Sequence, residues 1–138
     1  RASVPTLASA MDVGSPSNME RLRALFPDLE AVRGAGSAHS VSDAEIRSSL
    51  RDEFRLHGLA WCPHTATGLH VYRGLSEAER EQRHWAVVAT AHAAKFDTIV
   101  EPLLGCDIAP PAELAALLAL PSSFATIDAK LSDLAAQL

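Results

Sequence analysis

Three polar clusters in this chain combine reactive residue types with a local setting that suits chemistry. The first is Ala89-Thr90-Ala91-His92-Ala93-Ala94-Lys95, which follows the apolar run Trp85-Ala86-Val87-Val88-Ala89 and leads into a helical pattern. In open α/β sheets ligands bind beyond the carboxyl ends of strands, and a helix start adds free N–H groups and a positive dipole end. Thr90 and His92 are the polar side chains at this junction, and Thr90 would serve equally well as a plain helix cap. Lys95 carries an amine that can attack a carbonyl, but a lysine in the first turn of a helix is ordinarily solvated or ion-paired. The second cluster is Cys62-Pro63-His64-Thr65-Ala66-Thr67-Gly68, with His64 between a short apolar run and a helix. A Cys-x-His pair hints at metal, yet His39, His57, His70, His84 and His92 show neither H-x3-H nor C-x2-C spacing. No metal site is therefore expected. The third cluster is Ser15-Pro16-Ser17-Asn18-Met19-Glu20-Arg21. A helix N-terminus with two serines and Asn18 suits an anion, although capping alone explains Ser17 and Glu20.

The elements that must position these clusters follow from caps and periodicity. Ser17 and Glu20 form a capping-box pattern, Met19, Leu22 and Phe26 share a helical face, and Pro27 stops that helix. Ser42 and Glu45 open a second helix, with Ile46, Leu50 and Phe54 on one side, Arg47, Arg51 and Arg55 on another, and Gly58 at its end. Leu59-Ala60-Trp61-Cys62 and Trp85-Ala86-Val87-Val88-Ala89 read as strands, the second continuous and β-branched. Helices are predicted over residues 65–72, 76–82 and 93–104, then after Pro110 and Pro111, and finally after Asp128 with Leu131, Leu134 and Leu138 as its stripe. Residues 1–16 read as extended or loop. The expected fold class is α/β, mostly helical with a small, mainly parallel sheet. Two strands make a poor sheet, so a third is expected either at Ala125-Thr126-Ile127 or outside the chain.

Composition bounds the rest. The 138 residues are 48% hydrophobic and 21% charged with a net charge of −5, which suits one globular unit and argues against a nucleic-acid-binding surface. No apolar run reaches membrane-spanning length, and the N-terminus has no secretory block. Two distant cysteines, Cys62 and Cys106, are no disulfide framework, so a reducing, cytoplasmic setting is expected. No G-x-x-x-x-G-K-S/T, G-x-G-x-x-G or G-x-S-x-G motif occurs.

Taken together, the segments carry a resemblance. The run from Thr6 through Met11-Asp12-Val13 and Pro16-Ser17-Asn18 to Arg21 resembles the T-L-S-x-A-M-D-V/I-x-x-P-S-N-x-E-R signature of threonine synthases. Pro63-His64-Thr65-Ala66-Thr67-Gly68 resembles their P-H-T-A-x-G, and Ala89-Thr90-Ala91-His92-Ala93-Ala94-Lys95-Phe96 resembles their S/A-T-A-H-P-A-K-F. The three stand in the family's order. The resemblance implies the C-terminal part of a pyridoxal-phosphate enzyme of the tryptophan-synthase-β-like fold, which converts O-phosphohomoserine and water to threonine and phosphate. It implies that Thr90 hydrogen-bonds the pyridine nitrogen of the cofactor, with His92 also at the cofactor and Asn18, Arg21 and His64 at the substrate pocket or its walls. Two positions depart from the pattern: Ala93 stands where the family has proline, and Cys62 stands where an acidic residue precedes P-H-T-A. The family's cofactor lysine motif, H-G-P-T-x-x-F-K-D, and its Gly-Asn-Phe-Gly phosphate loop do not occur in the chain, and Lys95 does not match that lysine. A chain that also begins at Arg1 without methionine is therefore expected to be the end of a longer enzyme. Alone it is expected to be inactive, to contain no catalytic residue and to bind no cofactor, but to self-associate through surface that upstream chain would cover. The competing reading is a non-catalytic anion-binding or regulatory module that retains this fold.

Overall fold

The computed structural model describes residues 2–17 and 19–137. Asn18, the start at Arg1 and the last stripe residue Leu138 lie outside the described residues. The helices are α1 (Met19–Leu25), α2 (Leu29–Ala35), α3 (Asp43–His57), α4 (Pro63–Gly74), α5 (Glu77–Glu81), α6 (Asp97–Leu104), α7 (Ala112–Leu118) and α8 (Leu131–Ala135). Short 3₁₀ turns stand at Ser9–Met11 and Ala93–Phe96.

Local chemistry explains most of these boundaries. The Ser42 hydroxyl accepts from the Glu45 N–H while the Glu45 carboxylate accepts from the Ser42 N–H, and Ser76 and Glu79 repeat the arrangement at α5. The Ser42 backbone and side-chain hydrogen bonds hold the Glu45 carboxyl below its ordinary pKa; the Ser76 side chain and backbone do the same for Glu79. Helix α3 ends on Gly58 and α6 on Gly105, both left-handed at φ 66° and 70°, which only glycine adopts without strain. Helix α2, which the sequence reading did not predict, is capped by Asp28, whose carboxylate accepts from Ala31 N–H at 2.9 Å.

The core is the α3–α4 contact. Ile46 and Leu50 of α3 and Ala66 of α4 are fully buried with Ala8, and Leu7, Val41, Trp61 and Leu103 close around them. Ala66 presents almost no side chain, which lets the two helix backbones approach. Helix α6 packs on α3, with Val100 buried and Leu103 against the core. An ion pair stitches the two central helices beside this core: Arg73 gives Nη2 and Nε to Glu53 Oε1 at 2.6 and 2.8 Å, and Glu53 is only 5% exposed.

The expected sheet is absent: no strand occurs among the described residues, so the α/β assignment is corrected to an all-helical one. The reason is pairing. Residues 59–62 and 84–90 are neither helical nor laddered, and no main-chain hydrogen bond joins residues 84–89 to other backbone among the described residues. The apolar composition was real, but a strand exists only with a partner. Ala125-Thr126-Ile127 is exposed and unpaired as well. Helices α7 and α8 bury no residue, and Leu117, Leu118, Phe124 and Leu131 are 64–86% exposed. The chain exposes 10752 Å², against about 6,900 Å² for a compact monomer of this mass.

Replacing Arg73 with methionine leaves the Glu53 carboxylate buried without a cation, and we expect a loss of about 2 kcal/mol, reduced from the fully buried case because Arg73 is partly solvated. Urea unfolding checks this; the double variant Glu53→Gln, Arg73→Met recovers part of the loss.

Candidate functional site

The chemistry-bearing residues meet at the start of α4. Cys62 precedes it in extended conformation and caps it through sulfur: Sγ accepts from Thr65 N–H at 3.4 Å. Pro63 then fills the first helical position, where no N–H is needed. The Cys62 sulfur, fully buried, lies 3.2 Å from Thr65 Oγ1 and 3.4 Å from Thr90 Oγ1. Thr90 in turn donates its N–H to Thr65 Oγ1 at 3.2 Å. Burial raises the Cys62 pKa, but hydrogen bonds from the Thr65 and Thr90 hydroxyls and the Thr65 and Ala91 N–H groups outweigh it and leave the thiol below its ordinary value. Thus Thr90 is held by two contacts at the start of α4, one to the cap residue Cys62 and one to Thr65, although residues 84–90 have no ladder.

His64 projects from the first turn of α4. Its Nε2 accepts from Ala10 N–H at 3.0 Å, so that nitrogen carries no proton and the ring is fixed in one tautomer. Its ring also leans on Phe96, with centroids 5.1 Å apart. One side chain thereby ties α4 to the 3₁₀ turn at Ser9–Met11 on one side and to the Ala93–Phe96 turn on the other.

A cleft of about 660 Å³ opens between these elements. His64, Thr67 and Gly68 of α4 form one wall, and Trp85, Val87, Val88 and Thr90 form the opposite one. Gly68 sets their separation: a Cβ there would stand 3.3 Å from Val87 Cγ1. The lining is largely apolar with a few polar groups, the usual make-up of a small-molecule site. No lysine or arginine lines it among the described residues, and no group of three or more potential metal ligands occurs there either.

The structure brings His64 and Thr90 to one cleft and keeps His92, Arg21 and Lys95 out of its lining. His92 is exposed, stands off the cleft, and uses Nδ1 to accept from Ala94 N–H at 3.2 Å. It is therefore His92, and not Thr90, that caps the turn Ala93–Phe96. Arg21 is exposed on α1, away from the lining, and Lys95 is exposed as well. The position of Thr90 beyond a strand end is corrected too, since there is no strand. Sequence reasoning missed the anchoring role of Cys62 and Thr65. The signal was present in Cys62-Pro63-His64-Thr65, where a cap residue is followed by Pro at the first helical position and a hydroxyl at the third.

A helical unit with this backbone is found within solved enzymes. Residues of this chain superpose on the crystal structure of threonine synthase from Escherichia coli with a TM-score of 0.79 and 30% identity, covering 99% of this chain and 31% of that one. The PLP-bound threonine synthase from Brucella melitensis shares the fold at a TM-score of 0.65 and 24% identity, over 99% of this chain and 34% of that one. Residues 65–137 match the family model "Threonine synthase, C-terminal", and the chain belongs to that family. The threonine synthase of Serratia marcescens is 34% identical over 134 residues, which are 96% of this chain and 30% of the relative. The chain thus spans about 30% of the length of the curated relatives it matches. No helix among the described residues is long and apolar enough to cross a membrane.

His64→Phe keeps a ring against Phe96 but removes the acceptor for Ala10. Loss of one hydrogen bond of about 1 kcal/mol is expected to speed amide exchange at Ala10 about fivefold, with α3 and α4 amides unchanged, as read by hydrogen exchange.

Proposed function

We propose that this chain supplies the ring-nitrogen side of a threonine synthase active site, in which O-phosphohomoserine and water become threonine and phosphate with pyridoxal phosphate as cofactor. The observation that carries the reading is Thr90. Its hydroxyl stands at the wall of an apolar cleft and is anchored from behind by Thr65 and Cys62.

The residues present fit one end of the cofactor. Trp85, Val87 and Val88 offer flat apolar contact to a planar ring, and Thr90 offers a neutral hydrogen-bonding group to its nitrogen. A hydroxyl, unlike a carboxylate, does not force the ring nitrogen to stay protonated. When bound, the cofactor supplies the electron sink for proton loss from the substrate carbons. Thr90 orients the ring, the apolar wall excludes water from it, and His64 holds the Ser9–Met11 turn against the cleft. The motif resemblance assigns His92, which caps the turn Ala93–Phe96, to the cofactor, and Arg21 and Asn18 to the substrate side. Among the described residues the cleft offers no cation for a phosphate and no amine for an aldehyde; both functions fall to the remaining two thirds of the family's length. Two features favour a chain that works against further protein: the surface is half again that of a compact monomer, and Trp85 and Val88 lie exposed on an unpaired backbone segment. The isolated chain is inactive in this reading and self-associates through that surface.

The test is a chimera in which this chain replaces the matching portion of the Escherichia coli enzyme. We expect growth of a threonine auxotroph without threonine and cofactor absorbance in the purified protein. Thr90→Val should lower kcat by about tenfold or more, the usual scale for a lost hydrogen bond at a reacting system. A folded, cofactor-loaded chimera that forms no threonine, or one whose rate is untouched by Thr90→Val, overturns the reading.

A further inference from the structure

Cys62 is fully buried, yet nothing in the cleft chemistry above uses it. Its surroundings determine where each proton can go. Thr65 is 2% exposed, and its Oγ1 already accepts from Thr90 N–H. The Thr65 hydroxyl proton must be donated, because a buried unpaired donor is costly, and the Cys62 sulfur at 3.2 Å is the acceptor at hand. Sulfur then holds the Thr65 N–H and O–H and faces the Ala91 N–H, and its remaining hydroxyl contact is Thr90 Oγ1. If sulfur carries a proton, it donates to Thr90 Oγ1 and the Thr90 proton is free to face the cleft. If sulfur is a thiolate, Thr90 donates to it and presents lone pairs to the cleft.

We propose that Cys62 is the positioning residue for Thr90, and that the proton on its sulfur sets whether the Thr90 hydroxyl donates to or accepts from whatever occupies the cleft. This rests on the reading in which Thr90 faces the cofactor nitrogen. Donation suits a neutral ring nitrogen; acceptance suits a protonated one. The start of the 12-residue helix α4 and its free N–H groups favour the thiolate, in keeping with the depressed thiol pKa. The neighbouring titratable rings are engaged elsewhere, His64 with Ala10 and Phe96 and His92 with Ala94. The groups acting on sulfur are neutral hydroxyls and backbone N–H groups of α4 and of residues 90–91.

The experiment needs no cofactor. In the full chain with Cys106→Ser, the ¹³C signals of Cys62 Cβ and of Thr90 are followed against pH. We expect one shared midpoint, below the roughly 8.5 of an ordinary thiol. Cys62→Ser keeps a good helix cap and should abolish the Thr90 step. Thr90→Val should raise the Cys62 midpoint by roughly one pH unit, the size of one hydrogen bond to a charged group. Thr90 signals that stay flat through the Cys62 midpoint, or a step that survives Cys62→Ser, overturn the proposal. Because the readout is independent of turnover, such a result with an active chimera refutes this coupling alone, whereas intact coupling with an inactive chimera refutes the functional reading alone.

Discussion

The close packing of α3 on α4 is the constraint on which everything else depends. Ile46, Leu50 and Ala66 meet there with Ala8, and the first residues, α6 and residues 84–90 are each referenced to one of the two helices. The first residues enter through Ala8 and through Leu7, whose N–H is held by Asp43 of α3 at 2.9 Å. Helix α6 arrives on Val100. Residues 84–90, without a ladder of their own, are positioned by the side chains at the start of α4. The cleft wall is therefore attached at its Thr90 end by hydrogen bonds to the start of a helix, and not by membership in a sheet.

What the sequence made legible divides along the range of the interactions. The capping boxes at Ser42 and Ser76, the left-handed stop at Gly58 and the proline-bounded helix α7 depend on residues within one turn, and all stand where the pattern put them. The strands depended on partners far along the chain or outside it, which no local run of Val and Trp can supply. The same division holds in the site. His64 and Thr90 were legible because each sits at a junction of elements. The anchoring by Cys62 was not, since it joins positions 28 residues apart. His92 stands at the same junction as Thr90, and its Nδ1 accepts from the Ala94 N–H two residues on, a local cap that its place before a helix start left legible.

The departure at Cys62 is accommodated by this geometry. An N-cap needs an acceptor for the third N–H of the helix, and the sulfur provides one at 3.4 Å. A thiolate and a carboxylate both meet that need, but sulfur is larger and more polarizable, and it also reaches Thr90. The helix cap and the anchoring of the cleft wall are thus one atom's task in this chain.

Gly68 gives the cleft a different kind of definition. Its missing side chain leaves a 3.3 Å approach between the position of a Cβ and Val87 Cγ1, so the width of the opening is recorded in an absence of matter. A single methyl group at that point would press on the Val87 side chain, which would have to give by a few tenths of an ångström. The same alanine that strengthens an ordinary helix would here set helical propensity against the fit of Val87 at the cleft wall.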